Sequence, residues 1–506
     1  MTDVVIIGAN PTGLILATGL LKANIDVKII DHRPSPNKRS DEDRRIPINL
    51  SPPSLELLHA HGLFNETTLP GQKLDGITYF WNKRSVNIDI EKSLNQHSLS
   101  AFPFCYASEL KLLEDGLIEN FENFGGVIHW ETRPVTMVDN NLFIEKIDPK
   151  STFEHREVHT PKFILACEAD NNPHIKDIMK YPSKTKKMLR EVDVFPCSSD
   201  KRIPRNRFNV FALSGCANHF LFPEPHGNEF LLWSPSHKKK PRKNREKLFS
   251  LLGINPGKKR SYGVYQMLLP HQEGNILFIG RFFNNFFLST KTGINLNLLS
   301  AFNLLWKIIP VLKNESTEKL IASYENEISS AYKTVANMSF KHSLLLAISR
   351  KLFPTLAYWG FKGYNFLCSS KNTPNRFSIC YSPGEFTKQS PQNKDIPGPK
   401  PGEYASNLLL NEGEYLLDGA DGSRHLLIFF KNHPGLIEAL KEEYGEHINI
   451  KVAKSQTAKD LYYANENSLY IIRPDRYIGY RSASFKIREI VAYFLKIFPN
   501  LKDQKN

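Results

Sequence analysis

The chain has 506 residues, 41% of them hydrophobic and 23% charged, which excludes a disordered chain and exceeds a single ordinary domain. Its 66 Lys and Arg against 52 Asp and Glu give a formal net charge of +14, a bias toward anions that does not choose among phosphorylated cofactors, nucleic acid and acidic lipid. Six scattered cysteines, with neither a C-x-x-C pair nor metal-ligand spacing, read as thiols in a reducing compartment.

The first element is a β-branched run, Val4 to Ile7, which turns through Gly8-Ala9-Asn10-Pro11-Thr12-Gly13 into an apolar helical pattern from Leu14. A second strand, Val27 to Ile30, ends on Asp31. This order suits a dinucleotide: glycines admit the backbone to a diphosphate, the helix N-terminus stabilises its charge, and the acid accepts from ribose hydroxyls. Asn10 stands in place of the second glycine; it is the next best residue at positive φ, and its side chain takes space a phosphate would use. The N-terminus carries no basic flank and no cleavage site, and no run of 18 uncharged apolar residues is present, so a cytoplasmic chain without a membrane span is expected.

Further along, "LDGITYFWNKRSVNIDI" and the segment from about Asp193 to Met267 alternate as antiparallel strands do, with Tyr79, Trp81, Phe222 and Trp233 as sheet-packing residues or liners of a ring-binding cavity. His226 sits in a Pro/Gly turn. The basic runs His237 to Lys247 and Ser183 to Arg190 lack interleaved aromatics and read as solvated loop, with no nucleic-acid partner expected. A strand "NILFIG" leads to Gly280 and Arg281, then to Gly293, Ile294 and Asn295 at the turn into a long helix. "KHSLLLAISRKLFPTLAYWGFKGYNFL" is apolar at helical spacing with cationic flanks and serves either core packing or contact with a membrane surface. "NTPNRFSICYSPGEFTKQSPQNKDIPGPKPG" reads as linker.

These motifs together resemble the FAD-dependent aromatic hydroxylases, the phenol hydroxylase and para-hydroxybenzoate hydroxylase type. "GANPTGL…IIDHRP" is similar to the family's first turn and second strand, and "RRIPINLSPPSLELLHAHGL" to its next helical segment, where the resemblance puts Arg45 near the flavin with Arg44 beside it. Gly280, Gly293, Asn295, Ala301, Asn303, Leu304, Trp306 and Lys307 match a gap-free family signature, and "LIASYENE" follows it as in the family. "IPGPKPGEY" and "LYIIRPDRYIGYR" resemble the linker and strand pair of the family's thioredoxin-like C-terminal domain, here without a cysteine after Cys380 and hence without thiol–disulfide chemistry.

The chain departs from the family at flavin contacts. Arg281 replaces the aspartate that accepts from the ribityl chain and turns an acceptor into a five-donor cation, which either reaches a diphosphate oxygen or pairs with an acid. The P-x-G-G loop has become Leu288-Ser289-Thr290-Lys291, the D-G pair corresponds to Glu168-Ala169 or Asp170-Asn171, and a flavin-side glutamine corresponds to Ala107.

The fold class expected is α/β: a discontinuous Rossmann-type FAD-binding domain (1–75, 101–176 and 268–390), an inserted mixed β-sheet substrate domain (76–100 and 177–267), and a thioredoxin-like C-terminal domain (398–506). The resemblance implies an FAD-dependent, NAD(P)H-using monooxygenase acting with molecular oxygen on an aromatic or quinone-precursor substrate. Its implied cofactor contacts are Gly8, Asn10, Gly13, Asp31, Arg45, Gly280, Arg281, Gly293, Ile294 and Asn295, with the catalytic residue unassigned and no metal. The flavin-loop substitutions keep a second reading open, a family member without hydroxylase turnover that acts as a weak nucleotide binder or interaction scaffold. Peripheral membrane contact and a homodimer stay open as well.

Overall fold

The computed structural model of the chain describes residues 2–40, 46–81, 84–89, 100–147, 156–167, 178, 184–198, 203–211, 219–223, 229–236, 249–250, 260–268, 272–280, 292–351, 379–389, 397–411 and 414–501. Its helices include α1 (Pro11–Lys22), α2 (Pro52–Ala60), α3 (Leu110–Asn123), α4 (Thr292–Leu312) and α5 (Glu318–Lys351), followed by α6 (Pro434–Tyr444), α7 (Gln456–Tyr462) and α8 (Ile487–Ile497).

A six-stranded sheet organises the N-terminal part. Its spatial order is Gln272–Glu273, Ile276–Phe278, Phe163–Ala166, Val4–Ile7, Val27–Asp31, Ile128–Trp130, parallel except at the first edge pair. Val4–Ile7 is fully buried and apolar on both faces, as a central parallel strand must be. Val4 and Ile6 pack toward α1, α3 and α4, while Val5 and Ile7 pack toward a three-stranded sheet of Thr132–Val138, Asn141–Lys146 and Arg156–His159. Strands later in sequence lie on both sides of Val4–Ile7, so the strand order reverses there, where open α/β sheets open a crevice for ligands.

Helices α1 and α4 lie against each other at Gly19, where an added Cβ would sit 2.3 Å from Leu305 Cδ2. Helix α4 is long and apolar enough to cross a membrane by length and composition, yet 83% of its Gly293–Leu312 window is buried inside the protein. Its apolar circumference is therefore that of a core helix.

Two further large sheets follow, beside small ones formed by Pro47–Leu50, Cys105–Glu109 and Gln72–Leu74 and by Leu409–Asn411 and Glu414–Tyr415. A seven-stranded sheet runs Arg260–Leu268, Lys184–Ser198, Glu229–Ser236, His219–Pro223, Arg207–Phe211, Gly76–Trp81, Arg84–Asp89. The basic run from Ser183 thus feeds the long strand Lys184–Ser198 and does not form a loop; Lys184 to Lys186 and Arg190 pair with Arg260–Leu268, and the strand gains its second neighbour, Glu229–Ser236, from Glu191 onward. A five-stranded sheet, ordered Lys388–Gln389, Ile478–Ser482, Leu469–Ile472, His425–Phe429, Ile448–Val452, carries α6 to α8 in the last part of the chain.

The expected linker is held in place where it is described. Tyr381 stacks on Tyr477 at 4.0 Å between ring centroids, Lys388–Gln389 pairs with Tyr480–Arg481, and Arg481 Nη1 donates to the carbonyls of Pro397, Gly398 and Pro399 at 3.3, 3.1 and 3.0 Å. A segment rich in Pro and Gly looks unstructured by composition, but here its carbonyls accept from one nitrogen of a buried guanidinium.

Candidate functional site

The site begins at the turn between the strand Val4–Ile7 and α1. Gly8 has φ +108°, and a Cβ on Gly13 would stand 2.1 Å from the Gly8 carbonyl oxygen, so both positions require glycine. Asn10 does not adopt the positive φ expected of it; at φ −98° and ψ 174° it is the N-cap of α1. Its Oδ1 accepts from the backbone N–H groups of Thr12 and Gly13 at 3.0 and 3.1 Å, and its Nδ2 donates to the Cys167 carbonyl at 2.6 Å. An extended backbone suits a capping asparagine, which explains why no glycine is needed here.

Asp31 lies at the end of the second strand, fully buried. Its Oδ2 accepts from Ala9 N–H at 2.8 Å, and its Oδ1 from Arg33 N–H at 2.8 Å. Arg33 adds Nε to Oδ1 at 3.0 Å and Nη2 to Oδ2 at 2.7 Å. Burial works to raise the Asp31 pKa, but the Arg33 charge and hydrogen bonds, with those of the backbone, hold it below the usual carboxylate range. Arg33 was missed by the sequence reading, although on an extended chain residues two apart share a face and an Arg two places after the acid meets it.

Gly280 comes to this turn from the middle of the chain. At φ +75° it presses on Thr12, where an added Cβ would be 2.8 Å from Oγ1. The Tyr332 hydroxyl of α5 donates toward the Gly280 carbonyl at 3.5 Å and lies 3.3 Å from Asn297 Oδ1 of α4. Gly293 and Ile294 start α4 and are half-buried. Asn295 spends its side chain on packing. Its Oδ1 accepts from Ser51 N–H at 2.7 Å and its Nδ2 donates to the Asn49 carbonyl at 2.8 Å, clamping α4 to the strand Pro47–Leu50. Both polar atoms of its side chain are thus engaged within the chain.

Arg45, Arg281, the Leu288-to-Lys291 loop, both candidates for the D-G pair and His226 lie outside the described residues. Ala107 is buried in the strand Cys105–Glu109, opposite Asn49 on one side and Gln72 on the other.

In the seven-stranded sheet the register puts Tyr79, Val210, Phe220 and Trp233 in one row on one face, with Phe208 and Phe222 in the next row of that face. Tyr79, Phe208, Phe220 and Phe222 are buried, and Phe208 meets Phe222 at 4.7 Å between ring centroids. The opposite face carries a separate cluster of Cys197, Phe211, Leu221, Phe230 and Leu232 with Phe249 against it. The side chains of Trp81 and Trp233 lie outside the description.

The turn has the backbone shape of a dinucleotide-binding turn: Gly8 and Gly280 take positive φ, Gly13 and Gly280 lie so close to the Gly8 carbonyl and to Thr12 that a Cβ would clash, and α1 begins there. Its hydrogen-bonding groups are engaged within the chain, the N–H pair by Asn10 and the carboxylate by Arg33.

Comparison with known proteins agrees with this geometry. Residues 1–211 match the family model described as an FAD binding domain. The chain is similar in structure to aklavinone-11 hydroxylase, solved with FAD and aklavinone, at a TM-score of 0.75 and 14% identity over 98% of this chain and 99% of that one. It is also similar to the flavin-dependent monooxygenase PieE, solved with FAD and substrate (TM-score 0.75, 12% identity, 99% and 98% covered), and to the rebeccamycin biosynthetic enzyme RebC (0.74, 16%, 98% of each chain). A search of curated proteins by sequence finds no match. The chain thus has the fold of these flavin-dependent enzymes over its whole length.

Proposed function

We propose that the chain is an FAD-dependent, NAD(P)H-using monooxygenase that hydroxylates an aromatic or quinone-precursor ring with molecular oxygen. The observation that carries this reading is the meeting of the Gly8-to-Gly13 turn with Gly280 at the strand-order reversal, in a chain whose first 211 residues match an FAD binding domain. Aklavinone hydroxylase and PieE, alike in fold, are described with FAD and a substrate, which supports carrying the same cofactor to this chain.

The flavin would supply the oxygen-activating redox chemistry, and the protein would position it and keep water out. Gly8, Gly13 and Gly280 would admit the dinucleotide backbone to the crevice. Tyr79, Phe208, Phe220 and Phe222, buried on the face of that sheet opposite the Phe249 cluster, would form an apolar wall suited to a flat ring. No side chain is assigned as acid or base.

The division proposed is an FAD-binding domain of 1–75, 101–176 and 268–390, a substrate domain of 76–100 and 177–267, and a thioredoxin-like domain of 398–506. Cytoplasmic localisation, and the options of a homodimer or a peripheral membrane contact, rest on the sequence reading.

Flavin content tests the proposal. The purified chain is expected to release FAD near stoichiometry on denaturation, or to take it up when added, and to oxidise NAD(P)H faster with an aromatic substrate present. A colourless protein that takes up no added FAD would overturn it.

A further inference from the structure

Asn10 is not required by the shape of the backbone. Its φ of −98° is open to any residue, so a side chain at this position acts on what the turn can bind. In α1 the N1 residue, Pro11, has no N–H, and the Leu14 N–H is already bonded to the Asn10 carbonyl at 2.9 Å. The N–H groups of Thr12 and Gly13 are therefore what the first turn can offer an anion, and one oxygen, Asn10 Oδ1, accepts both. The side chain is 3% exposed and is held in that orientation from its other end by the bond from Nδ2 to the Cys167 carbonyl. A diphosphate oxygen at this helix end must take the place of Asn10 Oδ1.

We propose that Asn10 is the affinity-setting residue of the nucleotide turn: its side-chain oxygen competes in cis with the diphosphate for the Thr12 and Gly13 N–H groups, and binding exchanges one for the other. This rests on the FAD-binding reading above. Competition for a shared donor pair ties two properties in opposite directions. Whatever strengthens the cap stabilises the free chain and weakens nucleotide binding. A side chain with a merely structural role would move both the same way.

The experiment uses the full chain with Asn10→Gly and Asn10→Asp variants, probed with FAD and ADP by fluorescence and calorimetric titration and by melting without ligand. Asn10→Gly gives up the cap at small cost to the helix, and is expected to bind FAD and ADP about tenfold tighter than the parent while melting lower. Asn10→Asp keeps a capping oxygen and adds a negative charge beside the phosphates, and is expected to bind both about tenfold more weakly; it also melts lower, because a carboxylate cannot donate to the Cys167 carbonyl as Asn10 Nδ2 does, so the opposed changes are read from Asn10→Gly. Should Asn10→Gly not fold, Asn10→Ala, which also removes the capping oxygen, takes its place, with tighter FAD binding than the parent expected. Parent-like or weaker binding by the Gly or Ala variant, in a parent that does bind FAD, overturns the competition alone. Folded protein of all variants that binds no FAD overturns the competition together with the function it rests on.

Discussion

Glu327 of α5 and Arg473, which follows the strand Leu469–Ile472, lie 146 residues apart in sequence and join through two hydrogen bonds of 2.7 and 3.1 Å, fully out of water. Lys307 Nζ donates to the same carboxylate at 2.8 Å, Asn303 at 2.7 Å, and Asp475 closes the group on Arg473. The two cations and two anions balance. Trp306 lies under the Arg473 guanidinium, 4.9 Å from its ring, and shares a core with Leu427, Tyr493 and Phe494 of the last part of the chain. The Asn303, Trp306 and Lys307 of the sequence signature therefore fasten α4 to the C-terminal sheet.

Removing one member leaves the others buried and unbalanced. Glu327→Gln is expected to cost about 3 kcal/mol in denaturant unfolding, well above a surface pair. Burial lowers the Lys307 pKa to about 8 even with Glu327 present. Without that carboxylate it falls further, so the variant regains stability as pH rises toward the ordinary lysine range, where the unfolded chain binds the extra proton. A loss below about 1 kcal/mol would contradict the balance described.

His425 gives a separate pH dependence. Burial, then the nearby Arg473 charge, lowers its pKa to about 3, and it sits among Trp306, Tyr493, Phe494 and Phe498. A depressed folded pKa means the unfolded chain takes up the proton first, so stability is lost as pH falls from about 6.5 toward 3. His425 contributes up to about 1.4 kcal/mol per pH unit in that window. His425→Phe is expected to flatten the slope by this amount, read from denaturant midpoints at several pH values. An unchanged slope would place the titration elsewhere.

Gly280 tests the closure of the nucleotide turn. Gly280→Ala must hold a side chain at φ +75° and push Thr12, and is expected to lose about 2 kcal/mol. Adding Thr12→Ala, which removes the hydroxyl and the methyl that the new Cβ would meet at 2.8 and 3.1 Å, should recover part of that loss and leave the backbone strain, so the pair is non-additive in thermal melts.

Thiol labelling reads the packing. Cys105, Cys167 and Cys197 are buried and Cys380 is exposed, and burial pushes the Cys105 thiol up to about 12. Among these four, Cys380 is expected to react with a thiol reagent in the native chain, and the others only on unfolding. Labelling of Cys167 at the native rate of Cys380 would mean that the strand end beside Asn10 opens.

Much of the fold is legible in the residues. The β-branched run before Gly8, the spacing to Asp31 and the ordered matches from Gly280 to Lys307 are local or short-range patterns, and each falls on the element it suggests. Legibility fails where composition stands in for contacts. A basic run becomes the start of a strand because its backbone finds a partner in Arg260–Leu268, and a Pro-rich stretch is pinned because Arg481 needs acceptors.

At the site the division is finer. The glycines at 8, 13 and 280 and the acid at 31 stand out in the sequence, and the turn explains the glycines: positive φ at 8 and 280, and a Cβ at 13 or 280 that would strike the Gly8 carbonyl or Thr12. Which partners the hydrogen-bonding groups of the turn take was settled by tertiary structure. Asn10 could reach the Cys167 carbonyl, Asn295 the strand at Asn49, and Glu327 the Arg473 guanidinium only once strands and helices 146 to 246 residues apart had packed together. A hydrogen bond depends on position to a few tenths of an ångström, and no single stretch of chain encodes that.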